Sequence, residues 1–169
     1  MIVFIPTAFC FIKDVSREVL EGVIKQNCTP YIFSISDFSE DKIERFRCIA
    51  KVRQKIIDFA QKLNEKYVVM SDYDIVHKRN NLKDMKTFLE KNKDFGGVGL
   101  TLSEKDQKIE KDHIPMYCVM FRLKAIDCFD ATPIGGFCEC LSVSKNIRKK
   151  WRYGFLESKN NGRIEHNKI

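Results

Sequence analysis

No C-x-x-C pair occurs among the seven cysteines of this chain, which stand at 10, 28, 48, 118, 128, 138 and 140. A zinc site needs close ligand pairs with tetrahedral reach, and only Cys138 and Cys140 are close, so the cysteines give no zinc-finger pattern. An odd count spread this widely yields no disulfide framework either. The cysteines read as small buried hydrophobes of a reducing compartment, with some pairing open if the source is a hyperthermophile. No apolar run approaches the ~20 residues of a membrane-spanning helix. The opening "MIVFIPTAFCFIK" lacks a positive leader and contains Pro6, so it reads as a first buried strand, not a signal peptide. Repeats, low-complexity linkers and long blocks of like charge are missing too. The expected location is cytoplasmic, with peripheral membrane contact left open.

What is present describes one soluble domain. The 169 residues are 44% hydrophobic and 31% charged, enough for a sizeable core and too ordered a composition for a disordered chain. A formal net charge of +7 favours polyanionic partners: nucleic acid, an anionic lipid surface or a phosphate-bearing ligand. Basic residues are densest between Lys145 and Lys168, around "KNIRKKWRYGF", a stretch that reads equally as a solvated or a membrane-apposed face.

Apolar periodicity alternates between two and 3.6 along the chain. A strand over 2–5, ending at Pro6, is followed by a helix over 14–26 with Asp14 as its N-cap. A second strand covers 30–36 and the longest helix 40–65. "KYVVMS" is the third strand. A helix over 81–92, a strand over 96–102, a strand over 115–126 passing into a helix start, and a Gly turn with a helix over 135–151 complete the series. Such alternation predicts an α/β sandwich whose early strands are parallel. Ligands of these sheets bind at the carboxyl ends of strands, where Pro6–Thr7, Ser36–Asp37 and Asp72–Asp74 would line one crevice.

The last of these clusters raises a specific question. In "KYVVMSDYDIVHKRN" a buried strand runs into Asp72 and Asp74, two like charges one residue apart. Carboxylates so close repel unless a cation lies between them, and a divalent metal serves that need. The alternative from this stretch alone is a solvated turn.

Taken with their order, the motifs resemble the GT-A-fold glycosyltransferases, the family-2-like enzymes that use nucleotide sugars. "FIPTAF" is similar to the family's first strand and nucleoside loop. "FSISDFSED" resembles its D-D-G-S-x-D, with Asp37, Ser39 and Asp41 on matching positions. "AKVRQKIIDFA" resembles A-R-N-x-A, with Arg53 on the Arg, and "YVVMSDYDIV" resembles the strand ending in D-x-D. Further on, "MYCVMFRLKAI" resembles the strand with F-R-x-x-A and "GGFCECLSVSKNIRKKWRYGF" the G-x-x-E-D…L…R…G helix. "RIEHNKI" places His166 where many relatives carry a late metal-binding His. The sequence departs from the pattern at Gln54 for Asn, Phe38 for Gly, and Cys140 where the family has an Asp after Glu139.

The resemblance implies a three-layer α/β/α sandwich with a mostly parallel central sheet in a single domain, 1–75 forming the nucleotide-binding half and 76–169 the acceptor and catalytic half. It implies transfer of a sugar from a nucleotide-diphosphate donor to an acceptor hydroxyl, inverting if Glu139 is the general base, with Mn2+ or Mg2+ as cofactor. Asp74 is then the main metal ligand, Asp72 contacts the donor ribose or metal-bound water, and His166 is a further ligand that favours Mn2+. Pro6, Thr7, Asp37, Arg53, Tyr73, Gly135 and Gly136 fall to the donor, with Asp37 on the nucleobase edge and Arg53 on the base or phosphate. Each has a plainer reading: turn-forming Asp, surface Arg, exposed terminal His, helix-start Glu at the dipole. Trp151 and Tyr153 read either as stacking on an acceptor sugar or, more simply, as packing. The acceptor is unspecified, a glycan, glycolipid or protein, and homo-oligomerisation is open.

Two look-alikes are weaker. "KDFGG" contains a kinase-like D-F-G, but no Gly-rich loop or H-R-D accompanies it. "VVMSDYDIV" also resembles the first motif of haloacid-dehalogenase-like phosphatases, yet that motif opens its fold, whereas here two βα units precede it. A nucleotidyltransferase of the same fold would need a Gly- and Arg-rich loop that "FIPTAFCFIKD" lacks. A non-catalytic basic nucleic-acid-binding domain is the remaining alternative.

Overall fold

A computed structural model describes residues 1–7, 15–34, 41–78, 80–101, 114, 116–126, 139–157 and 164–166. In chain order the elements are β1 (Ile2–Thr7), α1 (Arg17–Ile24), β2 (Thr29–Ser34), α2 (Lys42–Lys62), β3 (Tyr67–Ser71), β4 (Ile75–His77) and α3 (Asn81–Lys91). Then come β5 (Phe95–Thr101), β6 (Cys118–Arg122), a 3-10 turn over Leu123–Ala125, α4 (Glu139–Arg148), β7 (Arg152–Glu157) and β8 (Ile164–His166).

Six strands form one sheet in the order β2-β1-β3-β6-β5-β7, and β4 and β8 form a separate two-stranded ribbon. β6 alone is reversed: it pairs antiparallel with β3 and β5, while β2, β1 and β3, and β5 with β7, run parallel. The predicted mostly parallel sheet is therefore present. The reversal at β6 was not foreseen, because a strand buried on both faces carries no signal of direction.

Both faces of the sheet are covered. Val52, Ile56, Ile57 and Ala60 of α2 and Val143 and Ile147 of α4 pack with Phe4, Val68, Met70 and Phe121. On the other face Val23 of α1 and Leu82, Met85 and Leu89 of α3 meet Val3, Val69, Val98 and Met120. Adjacent residues of β3 thus point to opposite cores, which is why all five of its residues are buried. The three-layer α/β/α arrangement follows.

Local details depart from expectation for physical reasons. β1 runs through Pro6 to Thr7, because its register with β3 spans only Val3 and Phe4; by Pro6 the strand is laddered on the β2 side alone, and a missing N–H is tolerated. α1 starts later than predicted: Ser16 is its N-cap, its hydroxyl accepting from Val19 N at 3.4 Å, and Asp14 lies outside the described residues. The D-F-G look-alike is structural. Phe95 opens β5, and its glycines give room to side chains above, since a Cβ on Gly97 would lie 2.5 Å from Phe121 Cδ1.

Candidate functional site

Chain direction places the site. From β1 the chain leaves to β2 on one side and returns to β3 on the other, so the carboxyl ends of β1 and β3 flank a topological switch point. Thr7 is in register with Ser34 at the ends of β1 and β2, and Asp72 follows directly on β3. α4 ends at Arg148, beside the start of β7, where Arg152 N donates to Asp94 O at 2.9 Å. Its first residue, Glu139, therefore lies toward the same sheet edge as the carboxyl ends of the parallel strands.

At this edge β3 breaks into a tight turn. Asp72 N donates to Tyr117 O at 2.7 Å, the last rung toward β6, and Ile75 N donates to Asp72 O at 3.2 Å, closing the turn over Asp72, Tyr73 and Asp74. Asp72 and Asp74 are half-buried. Tyr73, also half-buried, packs against the cluster of Ile5, Val15, Val19 and Val76. Pro6 is buried at the end of β1.

Arg53 comes to the turn from α2. It is 5% exposed, and its Nη2 reaches Asp72 Oδ1 at 3.3 Å. The sequence suggested a donor-facing Arg and gave no hint of this pair, because a polar residue on a helix does not disclose its partner. The ion pair reduces the repulsion between Asp72 and Asp74 that the sequence posed as a problem.

His166 was the most distant of the expected site residues. β8 brings it in: His166 is in register with Ile75, one residue after Asp74. Of Thr7, Glu139 and His166 only the backbone placement is described, and Asp37, Gly135 and Gly136 lie outside the described residues. Among the described side chains no three His, Cys, Asp or Glu residues are grouped to hold a metal ion. The carboxylates of Asp72 and Asp74 are oxygen donors of the kind that Mn2+ and Mg2+ take, and a His at the register position of His166 would suit Mn2+ better.

Cys140, where the resemblance has an Asp, is buried in the core with Val143 and Ile147 and is disulfide-bonded. Cys28, Cys48 and Cys118 are buried thiols, as expected of small hydrophobes. Trp151 and Tyr153 pack rather than project. Lys124 Nζ lies 5.3 Å from the Trp151 ring centre, and Tyr153 meets Phe121 and Phe155 at ring separations of 5.9 and 5.0 Å. A cavity of about 460 Å³ beside Gln61, Asn64, Lys66 and Lys124 lies at the opposite end of β3.

Sequence reasoning missed one buried polar group beside the turn. His77 closes β4, with Nε2 2.9 Å from Ser71 Oγ and Nδ1 2.8 Å from Asn81 Nδ2. Burial holds its imidazole down to a pKa of about 4, with the Asn81 hydrogen bond acting in the opposite direction. A polar residue ending a three-residue strand gives no periodic signal.

No protein-family model and no curated protein matches the sequence. Solved structures match through the fold. A mannosyltransferase from Pyrobaculum calidifontis, in complex with GDP-Man and Mn2+, superposes with a TM-score of 0.63 at 13% identity. The match covers 92% of this chain and 54% of that one, so the chain spans about half of that enzyme. A Drosophila β1,4-galactosyltransferase 7 mutant, in complex with manganese, UDP-Gal and xylobiose, gives 0.55 at 14% identity, covering 99% and 71%. A cytidylyltransferase from Leptospira borgpetersenii gives 0.54 at 13% identity, covering 92% and 74%. The fold is that of the GT-A nucleotide-sugar glycosyltransferases.

Proposed function

We propose that this protein is a divalent-metal-dependent glycosyltransferase, moving a sugar from a nucleotide-diphosphate donor to an acceptor hydroxyl. The observation that carries the reading is the Asp72–Asp74 turn: two carboxylates at the carboxyl end of β3, beside the switch point, with the strand of His166 paired next to them. The resemblance of motifs and the glycosyltransferases among the structural neighbours support the same reading.

Asp74 and His166 hold the cation in this account, with Asp72, braced by Arg53, facing the ribose or the ion's water. A bound divalent cation supplies the positive charge that a leaving nucleoside diphosphate needs. The motif resemblance assigns Pro6, Thr7, Asp37 and Tyr73 to the nucleoside side of the donor, and the Gly135–Gly136 pair would let backbone come close to the sugar. Glu139 removes the proton of the acceptor hydroxyl as its oxygen bonds to the anomeric carbon and the carbon–oxygen bond to the diphosphate breaks, which inverts configuration.

Incubation with UDP- and GDP-sugars and Mn2+, with release of nucleoside diphosphate as readout, tests the reading. Release abolished by Asp74→Ala supports it, and no release from any donor contradicts it. Nucleotidyl transfer is the second reading, favoured by the likeness to the cytidylyltransferase. It predicts consumption of a nucleoside triphosphate with pyrophosphate release, and the loop at "FIPTAFCFIKD" lacks the Gly and Arg that would cradle a triphosphate.

A further inference from the structure

We propose that Ser71, His77 and Asn81 form a positioning clamp that holds the Asp72–Tyr73–Asp74 turn in its donor-binding shape, an inference that rests on reading this turn as the donor and metal site. Ser71 is the last residue of β3, His77 the last of β4 and Asn81 the first of α3. The bond from Ser71 Oγ to His77 Nε2, 2.9 Å long, crosses the base of the loop whose tip carries both carboxylates. The bond from Asn81 Nδ2 to His77 Nδ1, 2.8 Å long, ties that base to the helix beneath.

Leu82 N, next in the chain, donates both to Asn81 Oδ1 at 3.1 Å and to Gln26 Oε1 at 3.0 Å, which ties the start of α3 to the segment after α1. Ser71 itself stands in register with Cys118 of β6. One line of side-chain hydrogen bonds thus joins α3, β4 and β3 at the foot of the turn.

The backbone of His77 is held as closely as its side chain. A Cβ on Gly22 of α1 would lie 2.8 Å from His77 O, so only glycine lets α1 press against β4 here. β4 has β8 as its strand partner and no place in the main sheet, so its position depends on α1, on β8 and on this line of bonds.

A nucleophilic role for the same three residues is excluded by the geometry. Ser71 and Asn81 are 0% exposed and His77 4%, so no substrate reaches the hydroxyl. Buried polar groups of this kind add little net stability over apolar side chains of the same shape. What they add is one allowed geometry, and here it is imposed on the turn between them.

Titration of Mn2+ with UDP or GDP into the protein, paired with amide exchange read by mass spectrometry, tests the clamp. Ser71→Ala and His77→Leu are expected to weaken Mn2+-dependent nucleotide binding on the order of tenfold. Both are expected to speed exchange over residues 72–76 while α2 and β5 keep wild-type protection. His77→Gln, whose side-chain amide can hydrogen-bond Ser71 in either direction, is expected to recover most of the affinity. Unchanged affinity in folded Ser71→Ala and His77→Leu, or equal loss in His77→Gln and His77→Leu, overturns the clamp while leaving the donor site standing. Absence of Mn2+-dependent binding by the wild-type protein overturns the donor-site reading itself, and the clamp with it.

Discussion

Arg53 Nη2 lies 3.3 Å from Asp72 Oδ1, joining the middle of α2 to the first carboxylate after β3. The Arg53 side chain is 6% exposed and that of Asp72 31%, so the pair sits at the boundary between core and site. Removing one partner removes this link between α2 and the turn. Arg53→Met is expected to lower unfolding free energy by about 1–3 kcal/mol, read from urea denaturation. Arg53→Lys is expected to rescue little, since an ammonium does not reproduce the guanidinium's planar fork.

Stability is expected to fall in mild acid through His77. Its folded pKa of about 4 is below the ordinary 6.5, so the unfolded chain binds the extra proton first. The contribution is intact above pH 6.5 and is lost progressively as pH falls toward about 4, amounting to roughly 3 kcal/mol. Denaturation curves at stepped pH check this, and His77→Gln is expected to flatten the slope in that window. An unaltered slope contradicts the assignment.

At the far end of the sheet Arg122 caps carbonyls. Its Nε donates to Phe95 O at 2.8 Å, and Nη2 bonds Leu89 O and also Asn92 O, at the C-terminus of α3. Arg122→Met is expected to cost about 2–3 kcal/mol of stability by leaving those carbonyls without their donor. Nucleotide binding by the folded fraction is expected to stay at wild-type affinity, because Arg122 ends β6 away from the Asp72–Asp74 turn. Calorimetry beside denaturation separates the two.

Gly97→Ala tests the packing under Tyr153. The new methyl would stand 2.5 Å from Phe121 Cδ1 and 2.7 Å from Tyr153 Cε2. Overpacking on this scale is expected to cost about 1–3 kcal/mol in urea melts. A neutral result would show that the Tyr153 ring is not anchored there.

The elements legible in the sequence were those with a long apolar period: α2, α3 and the strand "YVVMS". The D-x-D at the end of that strand was legible too, because two aspartates closing a buried run are a local anomaly. β4 and β8 were not, being three residues each and stabilised by pairing across nearly ninety residues of chain. β7 hid within the basic stretch after Trp151, where charge masked the alternation of Tyr153 and Phe155. Ser71, His77, Arg53 and Arg122 were legible as residues but not as partners, since burial of a polar group depends on contacts that only the fold creates. His166 shows the converse. Its place beside Asp74 depends on β8, and only the family resemblance singled it out.

The most direct test of the account is titration calorimetry with UDP and with GDP, each with and without Mn2+, on the wild-type protein and on Asp74→Ala. The account predicts saturable binding of one nucleotide that requires both the metal and Asp74, with Asp74→Ala otherwise folded. Failure to bind either nucleotide with metal present, or binding that persists unchanged in Asp74→Ala, would contradict it.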